Sequence, residues 1–146
     1  MSDQKEIQEK LIRYQILDSR VKALLKRRDL LLTNMLEIET TLNTMKEIEK
    51  ETEKEIFLPL ASGVHVLGTL KKTKKMIVEL GANVAIEETV ERTKKILEKR
   101  KSTLNNALQT IENEMTSLSN ELLKLEPEIR AMIEKSKTST PEITAG

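Results

Sequence analysis

The chain has 146 residues, the size of one ordinary domain, with 1% aromatic residues, 34% charged residues and no cysteine. Those figures exclude a core built on large rings, a disulfide framework, a thiolate nucleophile and any sulfur-ligated metal. Twenty-five basic residues against 24 acidic ones leave a net charge of +1, so no whole-molecule field favours nucleic acid or an anionic membrane.

Hydrophobic residues nevertheless reach 38%, mostly Leu, Ile, Val and Met, which is too many for a disordered chain. Such a composition points to long helices with narrow apolar seams. A single histidine cannot build a His-based zinc site, and no HExxH occurs. No apolar stretch suits a signal peptide or a membrane span. The expectation is a soluble cytoplasmic protein with no metal, no cofactor and no enzymatic site.

Residues 4–55 contain neither Gly nor Pro. Tyr14, Leu17, Val21, Leu24, Arg28, Leu31, Met35, Ile38, Leu42 and Met45 recur at alternating steps of three and four, with Arg28 the one charged member. That period of 3.5 predicts a coiled-coil helix. Asp3 followed by Glu6 offers a capping-box start.

Over residues 56–88 the period shortens to 2. Short β-branched runs bounded by Gly and small polar residues predict four strands in two hairpins. Gly81, at the first central position of Leu80, Gly81, Ala82 and Asn83, suits a type II′ turn. Pro59 cannot donate to a ladder and belongs at an edge or beside a turn.

Residues 89–135 return to the helical period through Leu97, Lys101, Leu104, Leu108, Ile111, Met115, Leu118, Leu122, Leu125, Ile129 and Met132. Pro127 falls inside this seam and predicts a kink or local break just before it. The tail 136–146 reads as disordered.

The fold class expected is α+β: a long antiparallel two-helix coil joined by two hairpins, all in one domain. Equal helix lengths support the pairing, roughly 48 residues or ~70 Å each at 1.5 Å per residue. Charge blocks support it independently. If the bend lies near residue 71, Glu47 to Glu55 oppose Arg92, Lys94, Lys95 and Lys99, while Arg20 to Arg28 oppose Glu112, Glu114 and Glu121. Arg28 is then expected to reach Glu114, and Lys101 to reach Glu37 or Glu39.

Two helices cannot cover four short strands that are apolar on both faces. Unpaired strand edges also invite association. The resolution is a β-barrel closed between subunits. The assembly residues expected are Phe57, Leu58, Pro59, Gly63, Val64, Val66, Gly68, Val78, Gly81, Val84 and Ile86. At the opposite end of the coil, Ile7, Leu11, Ile12 and Tyr14 face Ile129, Met132 and Ile133 beside Pro127. An apolar surface there is either a frayed coil end or a binding site for other apolar chains.

Other motifs read more plainly. Gly63 and Gly68 have phosphate-loop spacing, but no Lys-Ser/Thr or helix follows, so they read as serving a hairpin turn and a bulge. His65 has no ligand or catalytic partner in sequence. The run Lys71, Lys72, Thr73, Lys74 and Lys75 reads first as a solvated connection and second as a docking patch.

The middle segment resembles the prefoldin alpha class. Pro59, Gly63, Gly68 and Leu70, then Gly81, Ala82, Ile86, Glu87 and Thr89, fit that family's hairpin pattern. Asn83 stands where a second glycine is usual, and Val84 and Ala85 stand where many eukaryotic members carry tyrosines, which leans towards an archaeal type. The resemblance implies an ATP-independent holdase in a hexamer of two alpha-class and four beta-class subunits. It implies coiled-coil tips that hold non-native client proteins, and delivery of those clients to a group II chaperonin. A coiled-coil scaffold, or a homo-oligomeric, filament-forming relative, are the alternative readings.

Overall fold

The computed structural model describes residues 2–50 and 53–139. Its elements run α1 (Ser2–Lys50), β1 (Glu53–Ala61), β2 (Val64–Lys71), β3 (Lys75–Gly81), β4 (Val84–Thr89) and α2 (Val90–Ser139). This is the expected helix, two hairpins, helix order. The chain divides into two compact units, Met1–Leu31 with Asn106–Gly146, and Leu32–Asn105.

Each unit has its own apolar centre. In the first, Leu17, Leu125 and Ile129 are buried together, with Tyr14, Leu118, Leu122 and Ile133 packed around them. In the second, Met45, Val90 and Leu97 are buried, flanked by Ile38, Leu42 and Met76. Every residue named for the two seams is buried or half-buried. A 3.5-residue repeat returns to the same face of a slightly underwound helix, so a strict spacing of three and four keeps one stripe covered.

Within each unit the two helices are antiparallel, as the ion pairs record. In the first unit Lys10 meets Glu128 at 3.1 Å, Arg13 meets Glu121 at 3.4 Å and Arg20 meets Glu114 at 3.0 Å. In the second, Lys101 meets Glu39 at 3.3 Å and Lys94 meets Glu49 at 2.9 Å. The expected pairing of Arg28 with Glu114 does not form. Arg13 and Arg20 stand one heptad apart beside the α1 seam, and Glu121 and Glu114 match them in reverse on α2. Flank pairs with flank, as in coiled coils generally. Arg28 lies in the seam itself, 3.9 Å from Asp29, and its buried Nε has no hydrogen-bond partner among the described residues.

The expected break at Pro127 is also absent, since α2 continues through it to Ser139. Pro127 is exposed, so the Leu123 carbonyl that loses its partner lies on the solvent side and can be hydrated. Residues 136–139 are therefore helical and not part of a disordered tail; 140–146 lie outside the described residues.

The hairpins form two separate two-stranded sheets, β1 with β2 and β3 with β4. The first begins earlier than residue 56, because Glu53, Lys54 and Glu55 pair with Lys71, Leu70 and Thr69. Pro59 pairs with His65 at the start of a register shift that ends at Ala61, the edge-and-turn location its missing N–H requires.

The second turn differs from the type II′ expectation, and the first takes the same form as the second. The central residues are Ser62 and Gly63 (φ 50° and 79°) in one hairpin, and Ala82 and Asn83 (φ 51° and 63°) in the other. Positive φ at both central positions is the type I′ signature, whose twist matches that of the flanking strands. Gly81 precedes the turn, at φ 105° in the bulge after Glu79. Asn83 tolerates this region well, whereas Ala82 occupies it at a cost. Replacing Ala82 by Gly is expected to stabilise the second hairpin by up to about 1 kcal/mol, and Asn83→Gly to change little. Thermal unfolding of the two variants against the parent checks this.

At the start of α2, the Thr89 hydroxyl accepts the Arg92 N–H at 3.2 Å, a standard N-cap. Arg100 Nη2 donates to the Glu79 carbonyl at 2.8 Å and ties β3 to α2.

Candidate functional site

Apart from Leu32 and Leu36 on α1 of the second unit, the exposed large apolar side chains among the described residues fall on two surfaces. The first is the hairpin pair. Phe57 is 73% exposed and Ile77 is 78% exposed; Leu58, Leu60, Val64, Val66, Leu67, Leu80 and Val84 are exposed as well. The register explains how both faces of hairpin one come to be apolar. Leu58 lies opposite Val66 on one face, and Phe57 opposite Leu67 on the other. Gly68 pairs in regular register with Ile56, not in the expected bulge, and sits on the Leu58 side, where a Cβ would come within 3.1 Å of Leu58 Cδ1. The glycine thus leaves Leu58 room to lie across the strand pair.

Hairpin two differs. Val78, opposite Ile86, is 6% exposed and faces the helices of its own unit, while Ile77 points the other way. An open cavity of about 570 Å³ beside it is lined by Met45, Ile48, Leu70, Met76, Val78 and Leu97, among others. Val78, expected among the assembly residues, therefore belongs to the interior of its own unit, and Ile86 is half-covered on the same face. The strand alternates strictly, so Val78 and Ile77 cannot both face outward. Phe57, Leu58, Pro59, Gly63, Val64, Val66, Gly81 and Val84 are exposed, and Gly68 is half-buried.

The second surface is on the coil of the first unit. Here the structure rearranges the expected set. Ile129 is 7% exposed and buried, and Tyr14 and Ile133 pack against its cluster, so these three are core. Ile7 and Met132 are half-buried. Of the expected residues only Leu11 and Ile12 are exposed. They are joined by three residues that the seam pattern passed over: Ile16 (63% exposed), Leu30 and Leu123. The signal for them was present, because each is a large aliphatic residue off the 3.5-residue stripe. A seam already filled by its own members has no place for them.

Polar chemistry is sparse by comparison. Among the described residues no group of three or more His, Cys, Asp or Glu side chains is placed to hold a metal ion. No described helix is long and apolar enough to cross a membrane. His65 is exposed on β2 opposite Pro59.

The family model described as Prefoldin subunit matches residues 17–135. Prefoldin subunit alpha of Archaeoglobus fulgidus is 38% identical over 93 residues, 62% of this chain and 66% of the relative. That of Pyrococcus horikoshii is 29% identical over 107 residues, 71% and 72% of the two chains. That of Thermofilum pendens is 31% identical over 74 residues, 50% of this chain, which spans 57% of that relative's length. Among solved structures, filamentous PFD from Methanocaldococcus jannaschii superposes with a TM-score of 0.67 at 21% identity. The superposition covers 78% of this chain and 95% of that one, a likeness of fold.

Proposed function

The chain belongs to the prefoldin subunit family, and from that premise we propose that it is the alpha-class subunit of an ATP-independent holdase. The observation that carries the proposal is the set of exposed aliphatic residues Ile12, Ile16 and Leu123 on a coil whose seam is already filled. Aliphatic side chains outside a closed seam add nothing to helix pairing. They do suit non-native proteins, which expose apolar segments of no fixed sequence. Leu11 extends the same client surface.

In this reading the exposed hairpin residues are covered by neighbouring subunits, two alpha-class and four beta-class, whose strands close the barrel. The assembly works in the cytoplasm and passes its clients to a group II chaperonin. Several weak apolar contacts acting together replace a shaped pocket, so release needs a competing site and no nucleotide.

The test is dilution of a chemically denatured protein into the assembled complex, followed by light scattering. The parent is expected to suppress aggregation without nucleotide. A variant carrying Ile12→Ser, Ile16→Ser and Leu123→Ser should keep its helicity and assembly and lose most of that suppression. Each side chain contributes only ~1.5–3 kcal/mol when buried, so single replacements should do little. Full suppression by the triple variant would remove this surface from the mechanism.

A further inference from the structure

We propose that the lysine-rich connection between β2 and β3 is a docking surface for an acidic segment of a partner protein. Lys71, Lys72, Lys74 and Lys75 are all exposed, and none of their ammonium groups has an ion-pair or hydrogen-bond partner among the described residues. Three carboxylates of the same unit are engaged by other cations: Glu49 by Lys94 at 2.9 Å, Glu88 by Arg92 at 3.5 Å and Glu47 by Lys54 at 3.5 Å. No ion pair among the described residues neutralises the four charges, although Glu53 lies opposite Lys71 in the strand register, so they form a local positive cluster in a chain whose net charge is only +1.

A flexible loop would let such a cluster spread apart. This one is pinned. The Thr73 hydroxyl donates to the Lys75 carbonyl at 2.9 Å and accepts the Lys75 N–H at 3.2 Å. The Val90 N–H donates to the Lys74 carbonyl at 3.2 Å, fixing the connection against the first turn of α2. A fixed cluster of like charges is pre-organised for a partner of opposite sign, which would lose less freedom on binding there.

The surroundings favour a protein over a nucleic acid. A cavity of about 480 Å³ beside the cluster is lined by Lys72, Thr73 and Lys74 and also by Glu49 and Glu91. A phosphate backbone carries negative charge without interruption and would be repelled by that acidic rim. No tyrosine or tryptophan lies in this unit to stack a base, and Phe57, its one aromatic residue, belongs to β1. A protein segment can set acids against the lysines and bases against the glutamates.

Fluorescence anisotropy on the full chain tests the proposal with a labelled peptide of alternating Glu and Ser. A Gln-for-Glu peptide and an oligothymidylate of equal length are the comparison probes. The parent should bind the Glu peptide in preference to both. Lys72→Gln with Lys74→Gln should weaken it by about tenfold, and Lys5→Gln with Lys26→Gln, which removes the same charge from α1, by less than about twofold. Circular dichroism verifies that both variants remain folded. Equal weakening by the two variants, oligothymidylate binding as tight as the peptide's, or no Glu-peptide binding by the parent would each overturn the proposal.

Discussion

Replacing Val66 and Val84 together by Lys is expected to disperse the assembled protein into smaller species while leaving its helical content unchanged. Each valine is exposed in the isolated chain, one in each hairpin, and neither belongs to the buried cluster of its unit. The substitutions therefore cost the folded chain little. In an assembly closed through the strands, two apolar contacts would be lost and two ammonium groups would have to be desolvated. Burial of a valine is worth roughly 1.5 kcal/mol or more, and an unpaired buried charge costs more than that. A combined loss of at least about 6 kcal/mol lowers the association constant by more than about ten-thousandfold. Sedimentation velocity, alone and with a beta-class subunit, measures the outcome. An intact assembly would place the association surface elsewhere.

Ile129→Ala should act on stability and not on binding. The side chain fills the cluster with Leu17 and Leu125 in the first unit. Removing buried methyl groups there costs the transfer energy of those atoms and leaves a cavity, about 3 kcal/mol in total. Ile12→Ala, on the exposed side of α1, should stay within about 0.5 kcal/mol. Hydrogen exchange separates the two: protection falls around Leu17 and Leu125 in the first variant and is preserved in the second. Comparable destabilisation by both would mean that Ile12 is covered and that the outer face of α1 has been misassigned.

The long-period features of this chain were legible in its sequence because many residues repeat the same signal. Ten seam positions in α1 all have to share a stripe, so one charged member such as Arg28 does not obscure the helix. The strand alternation and the glycines bounding it marked two hairpins in the same way. Features decided by a single residue's surroundings were harder to read. Gly81 drew the turn assignment to itself, yet Ala82 and Asn83 take the central positions because strand twist favours positive φ at both. Pro127 carries the same local penalty in any sequence, and only its exposure explains why α2 runs through it. The pairing of Glu114 with Arg20 depended on which residues flank the seam, a finer question than which blocks oppose.

The coil surface shows the same division. Apolar character near the chain termini was visible, but it did not separate Ile129 and Tyr14, which complete the core, from Ile12 and Ile16, which stay outside it. That separation follows from packing against the opposite helix. It moves the proposed client contacts from the seam to the outer face.

Site-specific photo-crosslinking tests that relocation most directly. A benzophenone side chain is placed in turn at Ile16 and at Ile77, both exposed positions that accept a bulky group without disturbing a core. The assembled protein is then mixed with a labelled, chemically denatured client and irradiated. The account predicts that position 16 captures the client and position 77 captures a neighbouring subunit. Client captured at position 77 and not at position 16 would contradict it.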